Sequence, residues 1–210
     1  MSIMNDFNIA KFVTDGKLLL ENQKIENCKI AGMQFERVKI KNCVFENVIF
    51  ENYTKKSFWL ENCEFRNCKF HDVFRDEELD DILLVVMNNV FIDCLFEDIS
   101  FYGYNEQSEI LDNKFEKCKF NKLKLEGNLA IANLMLNGGN IEDFSFKGLE
   151  IRDNCIENLQ LQELDLMTAV YYNKFENVVF DDVRLTGRIN DNNFINCDKS
   201  GFTFIENENW

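Results

Sequence analysis

The chain contains no proline, one histidine and two tryptophans, and only nine of its 210 residues are glycine. Loop-rich domains usually carry some proline, and no Gly/Ser/Pro-rich linker divides the sequence. It reads as a single architecture, not as domains on a tether. One imidazole is too few for an ordinary metal site or a histidine-based nucleophilic triad, so His71 is expected to be an exposed corner residue. No P-loop, dinucleotide fingerprint, calcium repeat or basic-aromatic patch is present. Long apolar runs are missing too. The longest, "ILLVVM" (82–87), is far too short to span a bilayer. The opening residues "MSIMNDFNIAKF" lack a basic stretch followed by a long apolar one, so no secretory signal is expected.

Positive charge is also scarce. Lys and Arg number 23 against 37 Asp and Glu, a net charge of −14. Residues 1–105 and 106–210 contribute −6 and −8, so the acidity is spread along the chain. Such a surface repels phosphate backbones, which argues against direct nucleic-acid binding. It suits solubility, a basic partner or imitation of a polyanion.

What is present is apolar and periodic. Counting from Leu20, every fifth residue is large and apolar: Ile25, Ile30, Phe35, Ile40, Phe45 and Phe50. The series falters at Lys55 and resumes at Leu60, Phe65 and Phe70, then at Phe91, Phe96 and Phe101, and at Phe115, Phe120 and Leu125. A third run covers every fifth residue from Ile131 to Tyr171, and Phe175, Phe180 and Leu185 close the set. Five is neither the helical nor the strand period. The residue two before each centre is usually small and apolar (Cys43, Val48, Cys63, Cys68), and the others are mostly Glu, Lys, Asn and Asp. Each unit thus points two side chains inward and three outward, as a short strand followed by a corner would, and four units close a coil. The fold class expected is all-β: a right-handed parallel β-helix of roughly 20-residue coils, capped at both ends. With 13 of the 21 Phe at centres, the core is large enough.

A slower repeat, "IRDNCIENL" (151–159), "VYYNKFENV" (170–178) and "INDNNFINC" (189–197), recurs every 19 residues. It aligns Asn89, Asn113, Asn154, Asn173 and Asn192 as an inward asparagine ladder that tolerates an unusual corner conformation. Seven of the eight cysteines take the small inward position, all but Cys155. They are expected to be reduced, packed thiols in a cytoplasmic protein, without disulfides or bound zinc.

On "IENCKI", "KNCVFENVIF" and "ENCEFRNCKF" the chain resembles the pentapeptide-repeat family. That resemblance implies a quadrilateral β-helix over roughly residues 18–74 and 89–197. The 19-residue repeat also looks like coils of the pectate-lyase type, which leaves the cross-section open. Residues 1–17 and 198–210 are expected to cap the ends. Insertions are expected near 51–59, 75–88 and 102–112, with helix confined to 1–17 and 75–88.

Function in a solenoid sits where the repeat breaks. The acidic stretch Asp76, Glu77, Glu78, Asp80 and Asp81, followed by Leu83 and Leu84 as contact area, is the candidate partner-binding segment. No catalytic, cofactor-binding or metal residue is assigned. The pairs Asp80–Asp81, Glu142–Asp143 and Asp181–Asp182 bring glycosidase carboxylates to mind, but adjacent strand residues should face opposite ways. The reading is a non-enzymatic interaction scaffold for a protein partner, basic or DNA-binding, with no membrane and no cofactor. Members of the resembling family that bind gyrase imitate acidic DNA, so a type II topoisomerase is the specific form of that reading. A polysaccharide-active β-helix enzyme is the alternative.

Overall fold

In the computed structural model, residues 9–31, 35–51, 54–72 and 83–206 are described. They form a parallel β-solenoid of about eight turns. Four columns of inward side chains run along it. One passes through Leu20, Ile40, Leu60, Val86, Ile110 and Ile131, each paired in register with the next. The second runs from Ile25 through Phe45, Phe65, Phe91 and Phe115, and the third from Ile30 through Phe50, Phe70, Phe96 and Phe120. The fourth holds Phe101, Leu125, Phe146, Leu166 and Leu185. Four centres per coil make the cross-section four-sided. The 19-residue period is the same coil with its fourth corner shortened by one residue: Lys147 pairs with Met167, 20 residues on, but Glu150 with Ala169, 19 on.

Corners explain why units of five work. Most of them carry one residue in the left-handed region, which turns the chain sharply between strands. Asn22, Asn42, Asn62 and Asn88 occupy one such column (φ 52–55°), and Asn27, Asn47 and Asn67 a second (φ 50–54°). Asp72, Asp98, Asp143 and Asp182 lie in a third. Asn and Asp bear this conformation at lower cost than other L-residues. The side chains of the second column also pair in solvent, Asn47 Nδ2 donating to Asn27 Oδ1 at 2.8 Å and Asn67 Nδ2 to Asn47 Oδ1 at 2.7 Å.

The inward ladder exists, with one correction. Asn89, Asn113, Asn154 and Asn173 are buried, but the left-handed residue is the one before each: Asn88, Asp112, Asp153 and Tyr172. The ladder asparagines instead satisfy backbone. Asn89 N–H donates to Asn113 Oδ1 at 3.0 Å, and Asn113 Nδ2 donates to the carbonyls of Val86 and Leu111 at 2.7 and 2.8 Å. Leu134 interrupts the row, yet its N–H still reaches Asn154 Oδ1 at 2.8 Å.

Stacked rings fill the amino-terminal half of the lumen. Phe45, Phe65, Phe91 and Phe115 stack with centroids 4.8–4.9 Å apart, and Phe50, Phe70, Phe96 and Phe120 at 4.7–4.8 Å. The two columns meet edge to face, Phe65 against Phe70 at 5.3 Å and 67°. Each such aromatic pair adds about 0.5–1.5 kcal/mol beyond the area it buries. All eight cysteines are free, and Cys43, Cys63, Cys68, Cys94 and Cys118 are buried. Cys28 and Cys197, expected inside like these, are half-buried, as is Cys155.

At the amino-terminal end Val13–Thr14 lies antiparallel on Lys17–Glu21, through a turn at Asp15 and Gly16 that are both left-handed. At the other end Phe202–Glu206 continues the parallel stack on Val183–Gly187. The described residues contain no α-helix, only a 3-10 turn at Ile9–Phe12. No helix among them is long and apolar enough to cross a membrane.

Candidate interaction surface

Register fixes where the stack is interrupted. Lys39 pairs with Trp59, 20 residues on, whereas Trp59 pairs with Val85, 26 residues on. The six added residues fall between His71, at the end of Lys69–His71, and Leu83, at the start of Leu83–Met87. A second slip lies between Gly103 and Ser108, which pair with Gly127 and Leu129, so three residues are added there. Both insertions rejoin the stack side by side, where Leu84 N–H donates to Ser108 Oγ at 3.2 Å. A smaller bulge follows Thr54, which pairs with Phe35 while Ser57 pairs with Arg37. Lys55, where the five-residue series falters, sits in it.

Asp76, Glu77, Glu78, Asp80 and Asp81 lie outside the described residues. Leu84, expected as contact surface beside them, is in the core at 4% exposure, because Leu83–Met87 is a strand of the coil wall. Leu83 is half-buried.

At the root of the first insertion sits a charged cluster. Pairing of Lys69–His71 with Ile49–Glu51 on one side and Leu95–Glu97 on the other aligns Glu51, His71 and Glu97. Lys69 Nζ lies 2.6 Å from Glu97 Oε2, and Lys122 Nζ 3.6 Å from Asp98 Oδ1. His71 Nδ1 is 3.6 Å from both Glu97 Oε2 and Asp98 Oδ2, too far for a hydrogen bond. The hydrogen bond from Lys69 is the main reason that the Glu97 carboxyl is held below its usual range, and Lys29 acts likewise on Glu51. Expected as an isolated exposed corner residue, His71 is instead about three-quarters buried between carboxylates. His71, Glu97 and Asp98 offer ligand atoms within 4.8 Å of one another. Lys69 and Lys122 already neutralise both carboxylates, so the arrangement is that of an ion-pair network.

The pair Asp80–Asp81 lies outside the described residues, and Glu142–Asp143 and Asp181–Asp182 stand two coils apart. Asp143, Asp181 and Asp182 are exposed, and Glu142 and Asp143 both face outward because Asp143 turns a left-handed corner. The opposite-face expectation from strand geometry fails there for that reason.

A second surface was not anticipated. Tyr172 takes the left-handed position that Asp153 and Asp191 hold in neighbouring coils, at φ 59° and 59% exposure. Its ring meets Tyr171 edge-on at 5.3 Å, and both tyrosines line a shallow hollow with Arg188 and Asn190. Tyr171 Oη donates to Glu150, which also accepts from Arg152 Nε at 2.6 Å. The signal was in the sequence: "YYN" stands where "RDN" and "NDN" stand one coil away.

No protein-family model matches the chain. No curated protein matches it either. Among solved structures it is similar to QnrB1, a plasmid-mediated fluoroquinolone resistance protein, at 15% identity and a TM-score of 0.37, over 89% of this chain and 93% of that one. It is also similar to HetL, a pentapeptide-repeat protein involved in heterocyst differentiation regulation in the cyanobacterium Nostoc. That match has 8% identity and a TM-score of 0.27, over 95% of this chain and 94% of the other.

Proposed function

We propose that the chain is a non-enzymatic interaction scaffold that presents an acidic insertion to a basic protein partner. The observation that carries this reading is the placement of the two insertions. They rejoin the stack at Leu84 and Ser108, on adjacent coils, so both added segments return to the solenoid at one place. The net charge of −14 favours a basic surface opposite and would steer its approach. In the specific form of this reading the acidic solenoid as a whole imitates DNA and the partner is a DNA-handling enzyme such as a type II topoisomerase. Eight free thiols suit a reducing compartment, in keeping with a cytoplasmic location.

The test uses a purified type II topoisomerase and two forms of the chain, wild type and one in which 76–81 is replaced by a short Gly/Ser turn. Each coil is held by its neighbours, so the variant should keep its melting transition. Binding should weaken at least tenfold in the variant and fall as salt rises. Equal binding by both forms would exclude the insertion as the site. No binding by either would remove the topoisomerase as partner.

A further inference from the structure

The lumen is not filled evenly. On the two phenylalanine faces, Phe115 and Phe120 are followed by Leu136 and Ile141, then by Ile156 and Leu161, before Phe175 and Phe180 restore the rings. Four rings are thereby replaced by smaller side chains. The coil cannot shrink to compensate, because its strands stay paired in register with the coils above and below. What remains is an interior cavity of about 160 Å³. Ile141, Phe144, Ile151 and Leu166 point into the core yet are only partly buried, since they face this space.

Its wall has one polar residue, Asn154, whose amide is fully engaged. Oδ1 accepts from Leu134 N–H at 2.8 Å, and Nδ2 donates to Asn173 Oδ1 at 2.9 Å. A water inside would find no partner. Apolar cavities of about 150 Å³ lined by Leu, Ile and Phe stay dry and accept benzene or xenon. A smaller space of about 100 Å³ adjoins it toward the amino terminus, sharing Phe115 and Phe120.

We propose that this cavity is a binding site for one compact, uncharged hydrocarbon of benzene size. It lies inside the stack and is independent of the surface assigned to a protein partner.

The experiment is methyl NMR of the full chain under xenon pressure and, separately, saturated with benzene. The methyl signals of Leu136, Ile141, Ile156 and Leu161 should shift, while those of Ile25 and Ile30, in the first coils, should not. The wild-type pattern decides on its own: no shift, or an equal shift at Ile25 and Ile30, overturns the site. Leu136→Phe/Ile141→Phe extends both ring columns into the space. It should abolish the xenon shift and raise the melting temperature by a few degrees. A folded variant that keeps the xenon shift overturns the proposal. If the double variant does not fold, Ile141→Phe alone is read in the same way.

Discussion

Asn154 gives both its backbone N–H and its side-chain amide to a single acceptor, Asn173 Oδ1, at 3.0 and 2.9 Å. Asn173 in turn gives both groups to Asn192 Oδ1. Replacing Asn173 by Leu therefore leaves the Asn154 backbone N–H without an acceptor and its side-chain amide with only the Ile131 carbonyl at 3.4 Å, a loss of roughly 1–3 kcal/mol per missing bond. Asn177, one strand away, is exposed and left-handed at φ 53°, so Asn177→Leu costs only about 1–2 kcal/mol of backbone strain. Denaturant unfolding should rank Asn173→Leu clearly below Asn177→Leu. Equal midpoints would contradict the ladder.

Tyr172 is a bulky residue held in a conformation that its neighbours assign to Asp. Tyr172→Asn should stabilise the chain by about 1 kcal/mol, read as a higher unfolding midpoint. If the midpoint falls instead, the ring contributes more through its contact with Tyr171 than the backbone loses.

Alkylation of the native protein should separate the thiols into two groups. Cys28, Cys155 and Cys197 are half-buried and should react before Cys43, Cys63, Cys68, Cys94 and Cys118. Burial, reinforced for Cys155 by Glu157, pushes the Cys28 and Cys155 thiols up, so their labelling should quicken as pH rises beyond the usual thiol range. Mass spectrometry showing one rate for all eight would rule out the inward register.

Glycine is required where coils touch through the backbone. A Cβ at Gly139 (φ 96°) would stand 1.8 Å from the Cys118 carbonyl oxygen, whereas the nearest atom to one at Gly16 (φ 70°) would be in the Glu36 side chain, at 3.2 Å. Gly139→Ala should cost several kcal/mol and Gly16→Ala about 1–2 kcal/mol. Comparable melting shifts for the two would show that the coils yield more than their register implies.

The five-residue spacing made the solenoid legible, because a large apolar side chain every fifth residue fits no other backbone. Its corners were harder to see. Asn27 and Asn47 read as ordinary outward polar residues, since asparagine suits a left-handed turn and a solvated strand position alike. The cavity was hidden since Ile141 and Phe120 count alike as apolar while differing by a ring. His71 met Glu97 and Asp98 only once the length of the first insertion set the register between their coils. Leu84 was misplaced for a simpler reason: an apolar run after an acidic stretch suits either a wall strand or an exposed tip.

The ladder also has a direction in time. For its backbone donors the earlier coil gives and the later one accepts, from Cys63 to Asn89, Asn89 to Asn113, Leu134 to Asn154, and Asn154 to Asn173, while the ladder amides also reach back to carbonyls of the coil before. A ribosome adding about 5–20 residues per second supplies a 20-residue coil every ~1–4 s, far longer than strands need to pair. At these steps the newest coil on an emerging chain ends in a donor whose acceptor arrives with the next coil. Translation order and stacking order therefore coincide, and each turn is laid down on a template that the same polypeptide has just finished.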